Sequence, residues 1–198
     1  MQFDEKIQII IIGESQVGKT SILYQYTQNK FSTQYLATVG VEYFVKEELI
    51  NNKHIRVKIW DTAGQEQYKS ITKSFYKNSD GIVIVYDVHD KKSFEKVQDW
   101  VQSLNEYTDS SKTIPVILVG NKIDLEREVS TEEGQKLAES FNLPFFESSA
   151  KENKGITEFM HKIITDVLNV VGQSTTQKGI GLNDVQQTST GDDGGCAC

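Results

Sequence analysis

The segment Gly13-Glu-Ser-Gln-Val-Gly18-Lys19-Thr20 constrains the fold of this 198-residue chain more tightly than any other stretch. It follows an apolar run at 7–12 and leads into Ser21-Ile-Leu-Tyr-Gln-Tyr, so G-x-x-x-x-G-K-[ST] stands between a strand and a helix. Glycines let the backbone wrap around phosphate oxygens, with the N–H groups of residues 15 to 20 pointing inward. The helix dipole favours negative charge, Lys19 neutralises β- and γ-oxygens, and the Thr20 hydroxyl can ligate Mg2+. Gly13, Ser15, Gln16, Val17, Gly18, Lys19, Thr20 and Ser21 are therefore the expected cradle of a nucleoside polyphosphate. The bland alternative is a glycine turn with a surface lysine; a strand before it and a helix after it argue against that.

Apolar runs at 7–12, 43–50, 55–60, 81–87, 116–121 and 144–147 predict six strands, several apolar almost throughout, as in a parallel sheet buried on both faces. Asn51-Asn52-Lys53 reads as a hairpin, making one pair antiparallel. Helices fit between the others. The last carries Ile156, Phe159, Met160, Ile163, Ile164, Val167, Leu168 and Val171 at 3.6-residue spacing, and Ser130 with Glu133 reads as a capping box opening the helix before it. The expected fold is α/β of the P-loop NTPase kind: a mostly parallel six-stranded sheet with one antiparallel strand and helices on both faces. Such sheets bind ligands at the carboxyl ends of their strands.

Composition sets the limits. With 37% hydrophobic and 25% charged residues the chain is globular, and its length allows one domain plus a tail. Its longest apolar stretches, 9–12 and 82–86, fall far short of the roughly 18 residues that cross a bilayer. Met1-Gln2-Phe3-Asp4-Glu5 has no basic region ahead of an apolar one, so no signal peptide is expected, and Gln2 excludes myristoylation. A net charge of −7 argues against nonspecific nucleic-acid binding. Composition shifts at Gly172: residues 172–198 hold six of the 14 glycines, no aromatic residue, and one lysine against three aspartates. That segment reads as a flexible tether to a domain spanning 1–171. Its only cysteines, Cys196 and Cys198, cannot staple a core.

Three further segments carry chemistry. In Trp60-Asp61-Thr62-Ala63-Gly64-Gln65-Glu66, Asp61 at a strand end can hold Mg2+ through water, Gly64 can bring its N–H to a γ-phosphate, and Gln65 can orient an attacking water. Read alone, Asp-Thr-Ala-Gly is a polar turn. Thr38, in a polar segment before the second strand, could close on Mg2+ when a γ-phosphate is present, or be an ordinary loop threonine.

The fifth and sixth strands run into Asn121-Lys122-Ile123-Asp124 and Ser148-Ser149-Ala150-Lys151. A carboxylate at Asp124 accepts from guanine N1–H and the 2-amino group, whereas adenine presents an acceptor at N1 and no 2-amino group. Polar sites of that kind discriminate by roughly 10⁴ or more. Lys122 and Lys151 can lay their stems along the base, and the Ala150 N–H can donate to O6. The competing role for Asp124 and Asn121 is helix capping.

Together these motifs, in this order and spacing, resemble the Ras superfamily of small GTPases over residues 7 to about 171. Gly40-Val41-Glu42-Tyr43, Arg56-Val57-Lys58-Ile59-Trp60, Tyr68-Lys69-Ser70-Ile71-Thr72 and Phe75-Tyr76-Lys77 look like signature segments of the Rab family, as does the Gly-Gly-Cys-Ala-Cys end. The resemblance implies a GTP/GDP switch with Mg2+, slow in hydrolysis without an activating partner, regulating vesicle traffic. It implies that Phe31 stacks across the guanine edge, that Tyr35 covers the phosphates, and that Thr38 ligates Mg2+ in the triphosphate state. Tyr43, Trp60 and Tyr76 match an aromatic triad offered to effectors, although composition alone would place all three in or near the core. Cys196 and Cys198 would carry geranylgeranyl groups; without the resemblance, the pair could be metal-scavenging or merely tolerated.

Implied partners are an exchange factor, an activating protein, effectors, a prenyl-escort protein and a dissociation inhibitor. The protein would be a monomer on the cytoplasmic face of endomembranes, cycling with cytosol. Four features depart from the family pattern: Gln16 for a small residue, Gln67 for arginine, Lys77-Asn78-Ser79 for Arg-Gly-Ala, and His89 for a hydroxyl residue. Two rival functions use the same phosphate loop. A nucleotide kinase needs a second pocket and an arginine-rich lid, which the sequence lacks. A GTP-bound scaffold that scarcely hydrolyses is compatible with Gln16.

Overall fold

A computed structural model describes residues 3–33, 38, 40–64, 75–108 and 113–178, the side chains of 173–178 apart. Six strands form one sheet: β1 Glu5–Ile12, β2 Val41–Ile50, β3 Lys53–Thr62, β4 Gly81–Asp87, β5 Val116–Asn121 and β6 Phe145–Ser148. Five described helices join or flank them: α1 Lys19–Gln28, α2 Lys91–Glu95, α3 Val97–Tyr107, α4 Thr131–Ser140 and α5 Ile156–Lys178. The order across the sheet is β2-β3-β1-β4-β5-β6, and only the β2–β3 pair is antiparallel.

The hairpin turns on Asn51 and Asn52 with φ of 52° and 61°. Asparagine tolerates this left-handed pair, which matches the twist of the flanking strands. The capping box is present: Ser130 Oγ accepts from the Glu133 N–H, and the Glu133 carboxylate accepts from the Ser130 N–H at 2.9 Å.

Strand alternation divides the core. Ile7, Ile9 and Ile11 face one way with Ile55, Val57 and Ile59, under Leu23 of α1 and Phe159, Ile163 and Val167 of α5. Ile10, Ile12, Ile82 and Ile84 face the other way, toward Trp100 and Leu104 of α3 and Ala138 of α4. With two buried faces, β4 has no exposed position, which explains its unbroken apolar run. The last helix continues seven residues beyond Val171, through Gly172, to Lys178. Adding residues to an existing helix costs far less than starting one, so a weak helix former such as glycine need not stop it.

The chain leaves β1 toward β2 at one edge of the sheet, whereas it leaves the flanking β3 and β4 toward the other edge, so a crevice opens at the carboxyl end of β1. The phosphate loop begins there, at Gly13.

Candidate active site

Backbone geometry makes the loop between β1 and α1 a concave nest. Gly13 has φ 140°, and a Cβ there would lie 2.1 Å from the Val85 carbonyl oxygen, so only glycine fits. Gly18 has φ 96° and opens α1; a Cβ there would meet Asn121 Nδ2 at 2.4 Å. Between them Gln16 is exposed and also left-handed, at φ 67°. Val17 is buried, while Ser15, Thr20 and Ser21 are half-buried along the rim and the first turn.

Lys19 is buried under the loop. Its Nζ donates to the carbonyls of Gly13 at 2.9 Å and Glu14 at 2.8 Å. Burial pulls its pKa down to about 8, against the opposing pull of Asp61 and Glu14. A cation held there at the expense of its own hydration binds phosphate strongly, because phosphate oxygens restore what burial removed.

Three oxygen donors converge beside it. Thr20 Oγ1 donates to Asp61 Oδ2 at 2.6 Å and lies 2.8 Å from Thr38 Oγ1. Asp61, at the end of β3, is fully buried, and its second carboxylate oxygen has no hydrogen-bond partner. Burial raises its pKa, with the Thr20 hydrogen bond and Lys19 opposing. Two hydroxyls and an unsatisfied carboxylate form a hard-oxygen set that suits Mg2+, which takes few protein ligands and shares phosphate oxygens.

Gly64 lies against the phosphate loop, where a Cβ would sit 2.3 Å from Glu14 C and 2.4 Å from Ser15 N. Its backbone therefore approaches the cradle as closely as the sequence argument requires. Gln65, Tyr35, Cys196 and Cys198 lie outside the described residues, as do Gln67 and the 68–72 segment.

The loops after β5 and β6 meet on the other side of the cradle. Asn121 Nδ2 donates to the Val17 carbonyl at 2.9 Å, and its Oδ1 accepts from Ser148 Oγ at 3.1 Å. This side chain ties phosphate loop, β5 and β6 together. Asp124 Oδ1 accepts from buried Ser149 Oγ at 2.6 Å, and Lys151 Nζ stands 3.6 Å from Asp124 Oδ2. Ala150 is buried, and Phe31, after α1, is 39% exposed. Asp124 makes no helix cap: α4 is capped by Ser130.

One residue that sequence reasoning passed over is Asp87. It is buried at the end of β4, where Lys122 Nζ pairs with its Oδ2 at 2.6 Å and the His89 N–H donates to its Oδ1 at 2.9 Å. Lys122 itself is left-handed, at φ 68°. An acid closing an apolar strand is the signal that marked Asp61, and it marks Asp87 equally well.

The aromatic triad requires a correction. Tyr76 is completely buried in the α3 side of the core, so it cannot face a partner. Its neighbour Phe75 takes the place beside Trp60, with ring centroids 4.8 Å apart, and Tyr43 lies 5.6 Å from Trp60 on the other side. Trp60 is half-buried, its Nε1 donating to Gln8 Oε1 at 3.1 Å. Tyr43 is 58% exposed.

A family model described as "Ras family" matches residues 8–169. The chain is 44% identical over 183 residues to Ras-related protein RabC of Dictyostelium discoideum, covering 89% of this chain and 91% of that one. It is 40% identical over 174 residues to Ras-related protein Rab-3C of Bos taurus, covering 87% and 76%. It is 38% identical over 180 residues to GTP-binding protein ypt3 of Schizosaccharomyces pombe, covering 90% and 83%.

Proposed function

The chain belongs to the Rab branch of the Ras family, and from that premise we propose how its residues divide the work of a nucleotide switch. As a member it is a small GTPase: it binds guanine nucleotide, hydrolyses GTP, and switches in vesicle traffic together with regulators and effectors.

The observation that carries the proposal is the convergence of Thr20, Thr38 and Asp61 beside buried Lys19, with one Asp61 oxygen left unsatisfied. Thr20 and Thr38 would hold Mg2+ directly and Asp61 through water. Bound there, Mg2+ supplies positive charge against the phosphate oxygens. Lys19 and the N–H groups of the loop hold the phosphates. Thr38 and the N–H of Gly64 read the γ-phosphate, and its loss frees both segments, so that partners sense the bound nucleotide. Gln65 places the attacking water, and Asp124, Lys122, Lys151 and Ala150 select and clamp guanine, with Phe31 and Tyr35 closing over the ligand.

No arginine is assigned as an internal finger, so intrinsic hydrolysis is slow, and a partner supplying one accelerates it by about 10³–10⁵. The partners proposed are an exchange factor, an activating protein, effectors at the Tyr43–Trp60–Phe75 surface, a prenyl-escort protein and a dissociation inhibitor. Residues 179–198 serve as a tether carrying lipid on Cys196 and Cys198, which places the protein on the cytoplasmic face of endomembranes. No helix among the described residues is long and apolar enough to cross a membrane.

Single-turnover hydrolysis with an activating protein tests the assignment. Gln65→Leu should keep nucleotide binding and lose nearly all stimulated turnover. Thr38→Ala should speed release of a non-hydrolysable GTP analogue about tenfold while changing GDP release less than twofold. Unchanged stimulated turnover in the first variant, or equal effects on both nucleotides in the second, contradicts the roles given.

A further inference from the structure

Glu14 is the one acidic residue of the phosphate loop, directly after Gly13. A carboxylate is repelled by neighbouring phosphate, so its place in a cradle for anions needs a reason of its own. That reason lies on α3. Trp100 Nε1 donates to Glu14 Oε1 at 3.1 Å, across 86 positions of sequence. Trp100 is buried in one cluster with Ile10, Ile12, Ile82 and Ile84, so the sheet holds its ring in place. A buried indole needs an acceptor for its N–H, and half-buried Glu14 supplies it.

What this contact anchors is the backbone of Glu14. The Glu14 carbonyl accepts from Lys19 Nζ at 2.8 Å, and the Gly13 carbonyl accepts from the same nitrogen at 2.9 Å. An ammonium group has three N–H donors. With two of them on these carbonyls, the direction of the third is set, and it is the one left for a phosphate oxygen. Gly64 lies against the same peptide group: a Cβ there would sit 2.3 Å from Glu14 C, 2.4 Å from Glu14 O and 2.4 Å from Ser15 N. The peptide after Glu14 therefore touches both Lys19 and Gly64, while the Glu14 side chain is tied to α3.

We propose that Trp100 is a positioning residue of the nucleotide site: acting through Glu14, it fixes the peptide group that aims Lys19 and receives Gly64. The inference rests on the phosphate roles given above to Lys19 and Gly64. Without the indole N–H, the Glu14 side chain loses its tie to α3 and the peptide after it is free to turn. Lys19 then loses its aim, and the released carboxylate competes with phosphate for the ammonium. The effect must follow the phosphates. Lys19 serves the β- and γ-oxygens, so a nucleoside monophosphate, held by the base pocket and the loop N–H groups, is indifferent to it.

Competition against a fluorescent GDP, with Mg2+ present, measures the affinities of GMP and GDP for the full chain and its variants. Trp100→Phe keeps an aromatic ring in the core but has no N–H. It should weaken GDP about tenfold, the scale of one hydrogen bond to a charged group, and GMP by less than about twofold. Glu14→Ala should do the same without altering the core, and it decides the matter if thermal melting shows that Trp100→Phe disturbs the fold. Glu14→Gln keeps an acceptor for the indole and should stay within about threefold of the wild type for GDP. Trp100→Phe with Glu14→Ala should cost about what either costs alone, since both break one contact. Equal losses for GMP and GDP would make the pair purely structural and overturn the proposal. So would a double variant whose losses multiply, or a Glu14→Gln loss equal to that of Glu14→Ala. Lys19→Met separates this inference from the reading beneath it. If that variant weakens GDP no more than GMP, the role of Lys19 fails. If it weakens GDP alone while Trp100→Phe and Glu14→Ala leave GDP unchanged, only the role of Trp100 falls.

Discussion

Thr20 and Asp61 are 41 positions apart in sequence, yet the threonine hydroxyl donates to the aspartate at 2.6 Å, joining the first turn of α1 to the end of β3. The carboxylate's other oxygen is buried without a partner, a state that costs about 1–3 kcal/mol unless a cation or water completes it. If Mg2+ completes it, chelation should speed GDP release by about two orders of magnitude in the wild type. In Asp61→Ala release should already be fast, and chelator should add less than threefold. Stopped-flow release of a fluorescent GDP checks both. Full chelator sensitivity in the variant would remove Asp61 from the metal site.

Lys19 has a pKa lowered to about 8, and its sign has two consequences. In the empty protein the charged form is disfavoured by burial relative to the unfolded chain, so the destabilisation this group causes is full below pH 8. It fades as pH rises from 8 toward the ordinary lysine value. Melting of the nucleotide-free protein should therefore show this contribution improving between pH 8 and 9. Binding runs the other way. Phosphate holds the proton on Lys19, so above pH 8 GDP binding must take one up, and affinity should fall toward tenfold per pH unit between 8 and 9. Lys19→Met should bind weakly with no such break. A break that persists in this variant would place the titration elsewhere.

Asp124 sits between Ser149 and Lys151 and caps no described helix. Asp124→Ala should cut the preference for guanine over adenine nucleotides by about 10³ or more. Asp124→Asn offers one acceptor and one donor in place of two acceptors, which matches the N1–H and 2-oxo edge of xanthine. Competition of XDP and GDP for that variant should favour XDP, and retained guanine preference would count against the assignment.

Gln16 occupies a left-handed position with φ 67° in the phosphate loop. A residue with a Cβ held there costs about 1–2 kcal/mol relative to glycine. Bound phosphate compensates by satisfying the converging N–H groups; when it leaves, glutamine gains most by relaxing. Gln16→Gly should slow GDP release by about 5–10-fold and Gln16→Asn by less, following left-handed tolerance rather than side-chain size. Release rates that put asparagine with glutamine and glycine faster than both would assign the effect to a carboxamide contact.

Much of this architecture can be read locally in the chain. Two asparagines at positive φ close the hairpin, Ser130 and Glu133 cap α4, and strand–loop–helix around Gly13 to Thr20 is one contiguous signal. What escaped reading depended on contacts between distant segments. Phe75 and Tyr76 are adjacent aromatics; which one meets Trp60 and which one enters the α3 core is set by packing, and sequence assigned the wrong one. The partnership of Asp87 with Lys122 joins the ends of β4 and β5, two strands separated by two helices. Its components were visible, one as a strand-ending acid and one in Asn121-Lys122-Ile123-Asp124, but their 2.6 Å approach follows from sheet order. Helix α5 outlasts its apolar stripe because propagation tolerates Gly172 where composition alone marks a boundary.

The proposed site selects guanine nucleotide and holds it through a metal. Calorimetric titration of the nucleotide-stripped protein with GDP and with ATP, each with and without Mg2+, tests it most directly. Tight GDP binding that weakens sharply without Mg2+, with no heat from ATP, is the expected result. Comparable binding of ATP would reduce Asp124 to a structural residue and contradict the account, and GDP binding indifferent to Mg2+ would leave Thr20, Thr38 and Asp61 without the role given to them.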